Sequence, residues 1–254
     1  MKELILSRLK QIEKENNVKI ILAVESGSRA WGFASPDSDY DVRFIYVRPR
    51  EDYLKLEAQR DVIQLPIDGK LDINGWDLKK TLRLLYRSNP ALFEWLSSPV
   101  VYLETEPAAQ LRAIMKDYFS RKKNLFHYIS MAQNNYREYL NTDTVLAKKY
   151  FYVLRPVLAC RWVLEKGTQP PMRFSLLASA ELPEELKPVL ERLLDIKMHS
   201  PEVKKIARID ALNSYLDESI AYIGSLTSGI EDADNNPETL NSLFLNVLEH
   251  YSEI

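Results

Sequence analysis

Every segment of this chain with strand patterning ends by Leu103, and from Ala108 onward the apolar residues recur at helical spacing. That switch restricts the fold to an α/β (α+β) arrangement: a small mixed β-sheet domain over residues 1–106, then an all-helical domain over residues 107–254. Glu104-Thr105-Glu106-Pro107 marks the boundary, because strand signals essentially stop there.

In the first part, Leu4, Ile5, Leu9 and Ile12 predict an amphipathic helix over 2–16, and a strand over 18–24 follows it directly. A second strand is expected over 41–47, a short helix over 50–56, and a hairpin from 61–65 and 70–75. Asp77 caps a helix reaching about residue 88, another helix covers 90–96, and a last strand covers 100–103. In the second part, helical periodicity covers 108–119, 122–140, 146–165, 184–196 and 203–223. A polar, acidic loop over 228–237 precedes a terminal helix over 237–251.

With 46% hydrophobic residues in 254, the chain can bury a substantial core. No apolar run approaches the roughly 18 residues of a membrane span, and the amino-terminal segment is too charged for a secretory signal. A cytoplasmic protein with no membrane partner is expected. The single cysteine, Cys160, stands in an apolar stretch and excludes an intrachain disulfide, while His127, His199 and His250 stand in no metal-site or triad spacing. The net charge of −2 conceals an asymmetry: residues 121–173 hold ten basic and three acidic side chains, whereas residues 174–254 hold six and fifteen. The middle segment is where a polyanion is expected to bind.

The chemistry concentrates between the first two strands, in Glu25-Ser-Gly-Ser-Arg-Ala-Trp-Gly-Phe-Ala-Ser-Pro-Asp-Ser-Asp-Tyr-Asp-Val-Arg-Phe44. A strand that ends in Gly27-Ser28 and opens a helix presents free backbone N–H groups and a hydroxyl to a phosphate. Asp39 and Asp41, one residue apart at the entrance to a strand, point to the same face, with Ser38 just ahead of them. Two carboxylates on one face repel each other unless a cation intervenes, and hard Mg²⁺ takes carboxylate and phosphate oxygens.

Gly-Ser, ten residues, then Asp-Tyr-Asp resembles the signature of the polymerase β-like nucleotidyltransferases. The segments GSRAWGFASPDSDYDVRFIYV, INGWDLKKTLRLLYRSNPALFEWLSSPVVY and KKYFYVLRPVLACRWVLEKGTQPP are similar to a bacterial and phage branch of that superfamily associated with RNA repair. The resemblance implies a palm-like sheet with a helical domain behind it. It also implies a third acid from a later strand, for which Asp72 in Leu71-Asp72-Ile73 is the best match, with Asp61 and Asp77 as competitors. The implied reaction is attack of an acceptor hydroxyl, an RNA end among the candidates, on the α-phosphorus of a nucleoside triphosphate, releasing pyrophosphate. Asp39, Asp41 and Asp72 would hold two Mg²⁺ ions, with Mn²⁺ as an alternative, and Gly27 and Ser28 would meet the β- and γ-phosphates.

In the helical part, Lys148, Tyr152 and Arg155 lie at i, i+4 and i+7 with Lys149 one position round, a set suited to a triphosphate and a stacked base. Arg29 and Trp31, inside the signature loop, are also placed to touch substrate. Two other readings share the motif: transfer to a small molecule or a protein, and a non-catalytic binding module or antitoxin-like partner of the same fold. The nucleotide, the acceptor and the oligomeric state are left open by the sequence.

Overall fold

In the computed structural model, residues 1–200, 203–227, 230 and 236–251 are described. The elements run in the order α1 (Lys2–Asn16), β1 (Lys19–Glu25), α2 (Gly27–Trp31), β2 (Tyr40–Val47), α3 (Arg50–Tyr53), β3 (Val62–Gln64), β4 (Leu71–Asp77), α4 (Leu78–Tyr86), α5 (Pro90–Leu96), β5 (Val101–Glu104) and α6 (Glu106–Ile114). They continue with α7 (Arg121–Tyr139), β6 (Thr144–Leu146), α8 (Ala147–Lys166), α9 (Phe174–Glu181), α10 (Lys187–His199), β7 (Lys205–Ala207), α11 (Asp210–Leu226) and α12 (Glu238–Glu249). None of the helices among the described residues is long and apolar enough to cross a membrane. The fold is mixed α/β, and the chain divides into two units.

One unit holds residues 1–30 and 39–118 together with the C-terminal helix. Its sheet has the order β3-β4-β2-β1-β5, with β2 and β4 parallel at the centre and antiparallel pairs around them. Alternation along β2 decides what each face does. Val42, Phe44 and Tyr46 join Ile5, Leu9 and Ile12 of α1 in one core, so Asp41 and Arg43 point the other way. Gly75 of β4 makes that packing feasible, because a Cβ there would stand 2.2 Å from the Phe44 ring. Asn17 closes α1 in the left-handed conformation, and Asp77 caps α4 by accepting the Lys79 N–H at 2.7 Å.

The other unit holds residues 31–38 and 119–233. Its centre is α8, where twelve of twenty residues are buried, Cys160 among them. Full burial of a large apolar side chain stabilises by about 1.5–3 kcal/mol, so a helix buried on nearly every side anchors this unit. Pro156 sits inside α8 without ending it. A proline lacks the N–H that would bond the carbonyl four residues back, and here Asn135 of α7 donates its Nδ2 to the Tyr152 carbonyl at 2.8 Å instead.

Three features depart from the sequence expectations. Strands do not stop at the boundary: β6 and β7 pair antiparallel, Val145 opposite Ile206. The helix expected over 203–223 therefore begins only at Asp210. Three-residue strands are too short to display a period, and their pairing is non-local. The helix α9 was not anticipated. The loop expected over 228–237 falls for the most part outside the described residues.

Candidate active site

The parallel register of β2 and β4 sets Asp41 directly opposite Asp72, and Arg43 opposite Asn74. The Arg43 guanidinium closes the group: its Nη2 donates to Asp41 Oδ1 at 3.0 Å and to Asp72 Oδ2 at 2.7 Å, while its Nη1 donates to the Asp72 carbonyl at 2.9 Å. The side chains of Arg43, Asp41 and Asp72 are 17%, 30% and 27% exposed, so the cluster is half dry yet reachable from solvent. Arg43 was not singled out in the sequence. The signal was present, since an arginine two residues beyond Asp41 in an otherwise apolar strand must share its face.

The backbone of Asp41 is fully engaged. Its N–H donates to Glu25 Oε1 at 2.7 Å, and its carbonyl accepts from the Ser26 N–H at 2.8 Å. Glu25 is buried, its other carboxylate oxygen accepts from the Tyr102 hydroxyl, and the Ser98 hydroxyl donates to its carbonyl at 2.6 Å. Burial raises the Glu25 pKa, against the lowering effect of the bonds from Tyr102 and Asp41. Gly27 has φ +57°, and a Cβ on it would lie 2.1 Å from Asp41 Oδ2. The glycine thus lets the bend after β1 close onto the carboxylate.

The remaining signature residues are placed as follows. Arg29 lies over the Tyr40 ring at 3.7 Å, and its Nε donates to the Asp39 carbonyl at 3.0 Å. Asp39 is exposed just ahead of β2, Ser28 is half-buried, and among the described residues no third acid joins Asp41 and Asp72 within metal-ligand reach. Asp61 pairs with Lys80 at 3.1 Å. Asp77 is spent on capping α4 and on the Tyr53 hydroxyl at 2.9 Å, its pKa raised by burial. Of the three later aspartates, Asp72 is the one aligned with Asp41.

In the second unit, Ser38 is buried and its hydroxyl accepts from the Ser35 N–H at 3.0 Å. Lys197, also buried, reaches Ser35 Oγ at 3.0 Å and Ser38 Oγ at 3.3 Å. Sequence reasoning missed Lys197, although Leu190, Leu193 and Lys197 fall on one helical stripe and make it the charged member of a core face. Lys149 lies 3.4 Å from the centroid of Tyr139 and 4.9 Å from that of Tyr152, its pKa lowered by burial and by Lys148. Lys148 is half-buried. Arg155 is 4% exposed, with its guanidinium 4.6 Å above the Trp31 ring. The expected basic face therefore has two surface-reaching lysines and one interior arginine.

The donor set of the sheet cluster consists of carboxylate oxygens, the type that hard divalent cations take. Two carboxylates share one face, and a cationic group is already drawn between them.

Comparison with known proteins sets this geometry in context. The chain is 49% identical over 253 residues to "Uncharacterized protein YcgL" of Bacillus subtilis (strain 168), covering 98% of this chain and 97% of that one. It is 27% identical over 127 residues to "Uncharacterized protein 062L" of Invertebrate iridescent virus 6, covering 48% and 68%. Among solved structures, a nucleotidyltransferase-like protein from Exiguobacterium sibiricum aligns over 86% of this chain and 73% of that one, at 14% identity and a TM-score of 0.33. Residues 1–246 match the family described as RlaP, and the chain accordingly belongs to the RNA repair pathway DNA polymerase beta family.

Proposed function

We propose that the protein transfers a nucleoside monophosphate from a nucleoside triphosphate to an acceptor hydroxyl, with an RNA end as the acceptor. The observation that carries this reading is the in-register pair Asp41 and Asp72, with Gly27 pressed against the first. Membership of a polymerase β family supports the reaction class.

In this reading the acceptor oxygen forms a bond to the α-phosphorus, and the bond from that phosphorus to the bridging β-phosphate oxygen breaks, releasing pyrophosphate. Asp72 takes the acceptor proton. Gly27, Ser28 and Arg29 hold the triphosphate beside Asp41, and the loop carrying Ser38 is kept in shape by Ser35 and Lys197. Within the helical unit, Lys148, Lys149 and Tyr152 form a cationic and aromatic set suited to a nucleotide, and Arg155 fixes Trp31. Asp41 and Asp72, with Asp39 exposed at the strand entrance, would hold Mg²⁺. Bound there, the metal supplies neutralisation of phosphate charge. The chain's own contribution is positioning and electrostatics, which is why the chemistry requires no nucleophilic Ser, Cys or His.

The test is incubation with each α-labelled triphosphate, magnesium and pooled RNA, protein and small-molecule acceptors. Label retained on RNA in the wild type, and a fall of about a thousandfold in Asp41→Asn and Asp72→Asn, is the expected result. Label on another acceptor replaces the RNA assignment, and equal labelling by wild type and both variants overturns catalysis at this site.

A further inference from the structure

Outside the carboxylate cluster, α4 carries a row of exposed cationic side chains. Lys79, Arg83 and Arg87 recur at i, i+4 and i+8, so they form one row along the exposed side of the helix and its C-cap, spaced about 6 Å apart. Among the described residues, none of the three lies within ion-pair distance of a carboxylate, whereas their neighbour Lys80 is paired with Asp61. The chain as a whole is slightly acidic, so this row is a local reversal of sign rather than part of a general basic coat.

The row borders a groove of about 360 Å³ between α4 and α12, and among the described residues no acidic side chain lines it. Two aromatic side chains reach it. Tyr86 is 41% exposed, and Phe244 is half-buried, held edge-on by Tyr53 at 5.1 Å between centroids. Evenly spaced cations satisfy a chain of regularly spaced anions, and aromatic faces beside them add what an acidic peptide does not use, a surface for base stacking.

We infer that the groove between α4 and α12 docks a single strand of nucleic acid, with Lys79, Arg83 and Arg87 on its phosphates and Tyr86 and Phe244 against its bases. The inference stands on the charges and rings of this face and does not require the transfer reaction.

The test is fluorescence anisotropy of an end-labelled single-stranded RNA against the full chain, with chelator and no triphosphate, over a range of salt. Three phosphate contacts give a slope of about −2 in log affinity against log salt. The exposed triple variant Lys79→Gln, Arg83→Gln, Arg87→Gln is expected to flatten that slope and to weaken binding at low salt about twentyfold or more. Tyr86→Ala should weaken binding about tenfold, and Tyr86→Phe should restore it. Circular dichroism melts check that the variants are folded. Unchanged affinity and slope in the triple variant overturn the inference. Polyglutamate competing as well as RNA, with Tyr86→Ala without effect, also overturns it and makes the face a docking site for acidic protein. Intact RNA binding by a wild type that transfers no label leaves this inference standing while the proposed reaction fails.

Discussion

Asp41 and Asp72 stand opposite each other in the register of the parallel pair β2–β4, and one nitrogen of Arg43 bonds to both. Two like charges are thereby held on one face by a third group of opposite sign. Removing that group exposes their repulsion.

Arg43→Gln should lower stability in the presence of chelator by about 1–3 kcal/mol, the usual cost of breaking a partly buried, hydrogen-bonded charge pair. Added divalent cation should recover more of the loss in the variant than it adds to the wild type. Thermal melts with and without magnesium read both effects. A variant that melts like wild type under both conditions would show the cluster needs no counter-charge.

Gly27→Ala should be costly for two reasons. The φ of +57° disfavours any side chain by about 1–2 kcal/mol, and the new Cβ would displace the Asp41 carboxylate. The expected outcome is a lower melting temperature together with a loss of transfer activity much larger than the stability change explains. Normal turnover in a folded Gly27→Ala protein would separate this bend from the site.

Glu25 gives a pH dependence with a defined sign. Its folded pKa is raised by burial above the ordinary value of 4.5, so the folded state binds the proton more tightly than the unfolded chain does. Its contribution to stability is therefore fully present below the unfolded pKa and is lost as pH rises through the folded pKa. Denaturant titrations of wild type and Glu25→Gln should show the wild type losing ground to the variant across that interval. A difference that does not vary with pH would contradict the raised pKa.

Asn135 and Pro156 should be coupled through the Tyr152 carbonyl. Asn135→Ala leaves the Tyr152 carbonyl without its partner and should cost about 1–3 kcal/mol. In a Pro156→Ala background the alanine N–H can bond that carbonyl, so the Asn135 penalty should shrink. A double-mutant cycle with no coupling energy would refute the compensation.

Much of the framework was legible in the sequence because it is local. The apolar spacing of Ile5, Leu9 and Ile12 defines α1 without reference to anything distant. Asp77 announces the start of α4, and the hairpin β3–β4 follows from two short apolar runs. Cys160 could be assigned to the interior from its neighbours alone. Gly27-Ser28 and Asp39-Tyr40-Asp41, read as a spaced pattern, pointed to the bend after β1 that lies against Asp41.

What only the tertiary structure decided are the pairings between distant segments. Opposition of Asp41 to Asp72 is a matter of strand register, and a shift by one residue would turn Asp72 to the opposite face. Capture of both carboxylates by Arg43, of Ser35 and Ser38 by Lys197, and of the Tyr152 carbonyl by Asn135 all follow from which elements pack together. The same holds for β6 with β7 and for α12 beside α4. The physical reason is that periodicity and turn chemistry act over a few residues, so they fix the faces of helices and strands. Hydrogen bonds and ion pairs between faces depend on how the apolar sides are buried together, which no local pattern records.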